Sequence, residues 1–405
     1  MKKIQLHWQI LIALVVAIIW GYFFTNYVYL VDWMGVLFLR ALKMIIIPLV
    51  FSSIISGVAN IGDGENLGKL GLKTFSYYLT TTTLAILTGL FFVNLIQPGV
   101  GADLGKAKMV DGLVSAKDSF GDTLMNIIPT NIFKVLGDGN ILPIIFFAIL
   151  LGFFITKLDN KPKTVLSNFF NSCFELIMKV TMFVIKFTPL GILGIVAKVI
   201  AEQKGNLADV AGTLGLYMIA VVLALSVHFG ITLPLILKYV ARVNPIKHLK
   251  AMRTPLLTAF STSSSSATLP LTMEAVEHNS GVSNKVTSFV LPLGATVNMD
   301  GTALYECVAG MFIAQAYGVE LSFFQQVIVV ITALLASIGA AGIPMAGLVM
   351  ISVILTAVGL PLEGIGLILA VDRILDMLRT TTNVWSDTCG AVVVANSEGE
   401  KLKVQ

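Results

Sequence analysis

Charge is what this chain has least of. Asp, Glu, Lys and Arg make up 12% of its 405 residues, about half of the roughly 25% found in soluble domains. Hydrophobic residues make up 56%, and the mean hydropathy is +0.88. So little charge excludes an ordinary soluble globular protein. Cysteine is also scarce. Cys173, Cys307 and Cys389 lie in apolar surroundings with no CxxC and no Cys/His spacing. They read as small buried hydrophobes and not as a disulfide scaffold or zinc site. His7, His228, His248 and His278 are scattered and form no metal set. The net charge of +4 does not suggest nucleic acid; it suits a membrane protein with basic loops on one side.

What the chain has in abundance is long apolar runs, many near the roughly 20 residues that cross a bilayer. Spans are expected near 9–26, 33–57, 75–97, 140–157, 165–200 and 212–238. Met1-Lys2-Lys3 is basic, but the run behind it has no small-residue cleavage site and reads as a first span. Lys2 and Lys3, Lys69 and Lys73, Lys157 to Lys163, and Lys238 to Arg253 fall in alternate loops. The positive-inside rule makes those loops cytoplasmic and places the N-terminus inside. The segment 98–138 is looser and Gly-rich and reads as an external loop leading into an irregular fourth span.

After residue 245 the apolar segments shorten and are broken by Gly, Pro, Ser and Asn. Six hydroxyls stand in a row from Ser261 to Ser266, followed by Ala267-Thr268-Leu269-Pro270. A similar break, Ser337-Ile338-Gly339-Ala340-Ala341-Gly342-Ile343-Pro344, brings its proline 74 positions later. Each lies between two apolar arms too short to span separately, and each is followed by a longer, polar-interrupted helix. This is the pattern of a duplicated unit, a re-entrant hairpin and then a spanning helix. Paired interruptions of this kind point to a transporter's binding site. Irregular backbone at membrane depth is tolerated only inside protein or against a water-filled cavity. Helix N-termini at such tips attract anions, and freed carbonyls attract cations. The serines are expected to satisfy the broken backbone and to face a polar ligand.

The segment VDRILDMLRTTTNVWSD carries Asp372, Asp376, Arg379, Thr380, Asn383 and Asp387. Their spacing puts them on one face of an α-helix, with Ile374, Leu375, Leu378 and Trp385 opposite. A charge at the bilayer centre costs ~2.5–3.5 kcal/mol on insertion scales, so such a face is expected to do work. A further polar break lies at Leu293-Gly294-Ala295-Thr296-Val297-Asn298-Met299-Asp300-Gly301-Thr302. Asn298, Asp300, Thr hydroxyls and backbone carbonyls are hard oxygen ligands, suited to alkali or alkaline-earth cations and better to sodium than to calcium. Asp300, Asp372, Asp376 and Asp387 against Arg373 and Arg379 leave two excess negative charges, which calls for bound cations coupled to substrate. Arg379 can pair a carboxylate bidentately, and Asp376, one turn away, can accept from an ammonium. An amino acid with an acidic side chain meets both needs, its α-carboxylate going to hairpin N–H groups and serine hydroxyls.

The motifs SSSSATLP, LPLGATVNMDGTALY, SIGAAGIP and VDRILDMLRTTTNV resemble those of the glutamate/aspartate:sodium symporters, which include the excitatory amino acid transporters and prokaryotic relatives. The resemblance covers essentially the whole chain. It implies an all-α polytopic membrane protein with eight transmembrane helices, two re-entrant helical hairpins, inverted repeats and an elevator mechanism. It implies scaffold helices one and two in 1–74, a third helix of the transport domain in 75–98, and scaffold helices four and five in 99–204. The rest of the transport domain would be 205–396, and 397–405 a cytoplasmic tail. The substrate contacts it implies are Ser264, Ser265, Met299, Thr302, Gly342, Ile343, Asp376, Arg379, Thr380 and Asn383. One implied sodium site uses Gly294, Asn298, Asn383 and Asp387. A second uses Thr296, Met299 and the carbonyls of Ser337, Ile338 and Ala340. A third uses Tyr78, Thr81, Thr82, Asn298 and Asp300, the tyrosine and threonines lying in YYLTTTT, a run that composition alone reads as a polar helix face.

The expected function is therefore symport of L-aspartate or L-glutamate with sodium, by a homotrimer in the cytoplasmic membrane with both termini inside. No cofactor beyond the coupling ions, no enzymatic activity and no nucleic acid are expected; membrane lipid is the surrounding partner. Many sodium-coupled relatives carry a second site arginine where this chain has Ser263 or Met377, and Arg373 stands one turn before the latter. The uninterrupted serines and Asp387 favour sodium over protons, and Arg379 favours an acidic over a neutral substrate. The alternatives are a proton-coupled or C4-dicarboxylate transporter of the same fold and, from another class, an ion channel lined by the polar helix. No His or Lys is placed in sequence to activate Ser261 to Ser266 as a hydrolase nucleophile.

Overall fold

The computed structural model describes residues 6–61, 68–102, 128–202, 207–339 and 346–405. Almost all of them are helical, and no strand occurs among them. A lone segment in lipid can pair its backbone only as helix, so apolar runs of this length fold this way. The first half contains α1 (Leu6–Phe23), α2 (Tyr29–Ile61), α3 (Gly68–Ile96), α4 (Ile132–Asp138), α5 (Ile141–Ile155), α6 (Asn160–Ile185) and α7 (Thr188–Glu202). Then come α8 (Leu207–Val227), a π turn (His228–Thr232), α9 (Leu233–Tyr239) and α10 (Pro245–Ala251). The polar half contains α11 (Arg253–Thr262), α12 (Ser265–Ala275), α13 (Asn284–Val297), α14 (Asp300–Ala316), α15 (Phe323–Gly339), α16 (Ala346–Ala357) and α17 (Ile365–Ser397). By length and composition, Tyr29–Ala59, Lys69–Ile96, Asn160–Ile185 and Ala208–Tyr239 can each cross a membrane.

The run expected as one span over 165–200 is two helices. Pro189 has no N–H to give the Ile185 carbonyl, and the Thr188 hydroxyl bonds that carbonyl instead at 2.7 Å. The helix restarts as α7. Pro234 likewise removes a donor just after the π turn at His228–Thr232. Such turns re-aim side chains and often mark functional positions; here the turn carries His228 inward. Of the looser segment 98–138, residues 103–127 lie outside those described. At its end α4 is capped by Asn131, which accepts from Lys134 N, and closes on left-handed Gly139.

The polar breaks are short. Between α11 and α12 only Ser263 and Ser264 leave the helix, and the two arms pack on each other. Ser264 caps α12 by accepting from Ala267 N at 3.2 Å, while Ser263 takes a left-handed conformation with φ 52°. Between α13 and α14 the break is Asn298-Met299. The matching break between α15 and α16 falls in 340–345, outside the described residues.

Packing divides by neighbour. α1 lies on α7, and α2 on α5, α6 and α7. α3 lies on α8 and α14, and α17 on α8, α11, α13 and α14. The two groups meet where α2 touches α15 and α16, where α5 touches α16 and where α7 touches α17.

Candidate functional site

The charged face of α17 points inward. Asp372, Asp376, Arg379, Asn383 and Asp387 are each no more than 3% exposed, which excludes a water-facing amphipathic helix. The opposite face is mixed: Ile374 is exposed, whereas Leu375 and Trp385 are buried. Arg379 holds the centre. Its Nε donates to Asp376 Oδ1 at 2.9 Å, Nη2 lies 2.8 Å from that oxygen, and Nη1 donates to Asp372 Oδ1 at 3.2 Å. The guanidinium also sits 4.3 Å over the Tyr305 ring, and the Tyr305 hydroxyl donates to Asp372 Oδ1 at 2.7 Å. Two carboxylates, a cation–π contact and a phenol thus hold one guanidinium in place. A Cβ on Gly347, at the start of α16, would lie 2.7 Å from Arg379 Nη1, so α16 adjoins the same group.

One turn on, Asn383 joins α17 to the start of α14. Its Oδ1 accepts from Gly301 N (2.7 Å) and Thr302 N (3.3 Å), and its Nδ2 donates to Thr302 Oγ1 at 2.9 Å. This meets the unpaired donors of a helix N-terminus inside the protein. Ser264, Ser265, Met299, Thr302 and Thr380 are also buried. Gly342 and Ile343 lie outside the described residues.

A second polar centre lies beside the first, around Asp300. Asp300 Oδ1 accepts from Thr82 (2.6 Å) and Thr81 (3.3 Å); its Oδ2 accepts from Ser386 (2.6 Å) and faces His228 Nε2 at 3.0 Å. Asn298 donates to Ser386 (3.0 Å) and to Asp387 Oδ1 (2.8 Å), with the Thr82 hydroxyl 3.5 Å from its Oδ1. A Cβ on Gly294 would lie 2.5 Å from Asp387 Oδ1 and 2.6 Å from the Tyr78 hydroxyl. Only glycine lets these oxygens close in.

The structure therefore gathers Thr81, Thr82, Asn298 and Asp300 from the third expected ion set. Tyr78, its fifth member, gives its hydroxyl to the Val290 carbonyl at 2.8 Å. Of the first set, Gly294, Asn298 and Asp387 adjoin one another, while Asn383 is turned to α14. The second set rests largely on backbone carbonyls, and no hydrogen bond joins its members among the described residues. The Thr296 side chain is exposed and bonds Leu293 O in its own helix at 3.0 Å; the Ser337 hydroxyl bonds Leu334 O at 2.7 Å. Met299 is buried, the Ile338 backbone is helical and Ala340 lies outside the described residues. Among the described residues no three His, Cys, Asp or Glu side chains form a metal cluster. The donors are hydroxyl, amide and single carboxylate oxygens, the kind that suits a weakly bound alkali ion.

Four contributors escaped the sequence reading. His228 and Ser386 bond Asp300, and Tyr305 supports Arg379. Glu306 is fully buried, and neither of its carboxylate oxygens has a hydrogen-bond partner among the described residues. A lone acid in LYECVAGMF is the one signal that could have flagged Glu306.

Buried charges clustered at interrupted helices, within an all-α bundle of membrane-spanning character, define a secondary transporter. The chain belongs to the sodium:dicarboxylate symporter family, whose model matches residues 6–397. It is 36% identical to the proton/sodium-glutamate symport protein of Geobacillus stearothermophilus, over 99% of this chain and 96% of that protein. It is 35% identical to the proton/glutamate-aspartate symporter of Escherichia coli, over 98% and 93%. It is 38% identical to excitatory amino acid transporter 1 of Ambystoma tigrinum, over 91% and 77%.

Proposed function

We propose that this protein carries L-aspartate or L-glutamate across the cytoplasmic membrane together with sodium, by alternating access. The observation that carries the reading is the buried Asp376–Arg379 pair. In the free protein Arg379 is paired with Asp372 and Asp376 through Nε and Nη1, while its buried Nη2 makes no hydrogen bond among the described residues. An acidic side chain entering the site replaces Asp376 on the guanidinium, and the Asp376 oxygen so released accepts the substrate ammonium. The exchange keeps every charge paired, as a buried site requires. Ser264 and Ser265, buried at the break between α11 and α12, would receive the α-carboxylate. Sodium is a co-substrate. The oxygens around Asp300 and Asp387 would hold it, and the surplus negative charge makes its binding and that of an anionic substrate mutually favourable. Each sodium entering gains ~2.3 kcal/mol per 100 mV, and a tenfold gradient adds ~1.4 kcal/mol, so two or three ions outweigh one anion's opposition.

The division of packing supports an elevator. The α1, α2, α5, α6 and α7 group would be the scaffold, within a homotrimer, and α3 with α8 to α17 would move against it, with both termini cytoplasmic. The unpartnered Glu306 favours a second reading, in which a proton is among the coupled cations. Uptake of radiolabelled aspartate and glutamate into proteoliposomes, with sodium and proton gradients imposed separately, tests both. Accumulation on a sodium gradient alone is expected. If only a proton gradient drives uptake, the sodium assignment is withdrawn; if the two together exceed sodium alone and Glu306→Gln removes the difference, Glu306 is the proton carrier.

A further inference from the structure

We propose that Arg373 is a positioning residue of the substrate site, a second guanidinium that ties the tip of the first hairpin to Asp376. The assignment rests on the acidic amino-acid reading above. Arg373 lies one residue past Asp372, and its side chain is 27% exposed, so it is free to reach water. It turns inward instead. Its Nη1 donates to Ser263 Oγ at 2.8 Å and lies 3.7 Å from Asp376 Oδ2. Arg379 engages the other oxygen, Oδ1, of the same carboxylate. Asp376 is thus held by one guanidinium at each oxygen, and only one of the two is needed for the substrate's side chain.

The far end of the bridge is also informative. Ser263 is 1% exposed and holds φ 52°, ψ 38° between α11 and α12. Residues with a Cβ seldom hold this region unless their surroundings fix them, and such positions gather at ligand clamps. The Arg373 bond is the fixing contact from outside the hairpin. It sets the hydroxyl immediately before Ser264 and Ser265, the two serines proposed to meet the α-carboxylate. When Arg379 turns to the substrate, Arg373 remains on Asp376 and keeps it charged and aimed at the ammonium. One side chain therefore orders both contacts at the α-carbon end of the substrate.

The test is calorimetric binding of L-aspartate to the purified full chain in saturating sodium. Arg373→Gln is expected to weaken binding about tenfold, the usual effect of losing a charge-assisted bond. Arg373→Lys, which keeps the charge, is expected to recover most of it. Ser263→Ala cuts the same bridge from the hairpin side and is expected to weaken binding about threefold. The double variant Ser263→Ala/Arg373→Gln should be no weaker than Arg373→Gln alone, because both changes remove one coupled contact. Affinity within twofold of the unsubstituted protein in Arg373→Gln, or a double variant whose loss is the product of the two singles, overturns the assignment. Ser263→Ala decides alone if Arg373→Gln fails to fold, and an unmoved affinity there also overturns it. No binding of aspartate or glutamate by the unsubstituted protein would overturn the substrate reading instead.

Discussion

Arg379 is the residue on which the substrate reading turns, because it is the one buried guanidinium aimed at the site's centre. Replacing it by alanine leaves Asp372 and Asp376 buried with their main counter-charge gone, and an acidic side chain nothing to pair with. Uptake of aspartate is expected to fall by at least about 100-fold, the order of a lost buried ion pair, while sodium binding, measured separately, persists. Tight aspartate binding by Arg379→Ala would sink the role. This residue was legible in the sequence, since a helical spacing of three carboxylates, an arginine and an asparagine in an apolar protein has few other meanings. His228 and Glu306 were not. Each is a single polar residue in a run that reads as ordinary span, and each acquires its surroundings only when α8 and α14 are laid against α3 and α17. The threonines of YYLTTTT were legible only through family resemblance, because a hydroxyl on an apolar helix more often bonds its own backbone, as Thr80 and Thr83 do here.

Helix breaks are where sequence and structure agree best, and their width is what the structure adds. The polar break was read over Leu293 to Thr302, but only Asn298 and Met299 leave the helix. Gly294 serves proximity more than unwinding. Gly294→Ala would drive a methyl into Asp387 and Tyr78, and the sodium concentration for half-maximal uptake is expected to rise about tenfold or more; an unchanged titration would separate Asp387 from ion binding. The element that follows α17 was invisible in sequence as anything but tail. It is stitched down: Asn244 N donates to Val404 O, Lys403 N to Ser280 O, and Ser283 N to Glu400. Leu402 and Val404 are buried there. Just above, His248 on α10 stands between Ser280 Oγ and Thr388 Oγ1 and stacks on Trp385. Burial pushes its imidazole down to about 3. The folded protein therefore binds fewer protons at this position than the unfolded chain, so stability is full above the ordinary imidazole range near 6.5 and is lost as pH falls from there towards 3. The melting temperature in detergent is expected to drop below about pH 6, and more shallowly in His248→Gln. Parallel curves would mean that another group governs the acid side.

At the scale of the whole molecule the question is whether the group around α17 moves against the group around α2. The chain's two packing groups meet at few places, and one of them can be fixed covalently. A Cβ on Gly366, in the first turn of α17, would lie 3.3 Å from Cβ of Ile195 on α7, close to the roughly 3.5–4.5 Å spanned by a disulfide. The side chain that would clash is Ile195 itself, whose Cγ2 would be 2.1 Å away, so replacing both residues removes the obstacle and supplies the bridge. The background should lack Cys173, the partly exposed native thiol, since Cys307 and Cys389 are buried. If substrate crosses by sliding of one group along the other, Ile195→Cys/Gly366→Cys is expected to lose uptake on mild oxidation and to regain it with reductant. Aspartate binding to the oxidised protein should survive, because neither cysteine touches Asp376 or Arg379. Retained uptake by the fully crosslinked protein would mean that the α7–α17 contact stays closed throughout the cycle. Access would then have to alternate within the α11 to α17 group alone, by its hairpins opening in turn.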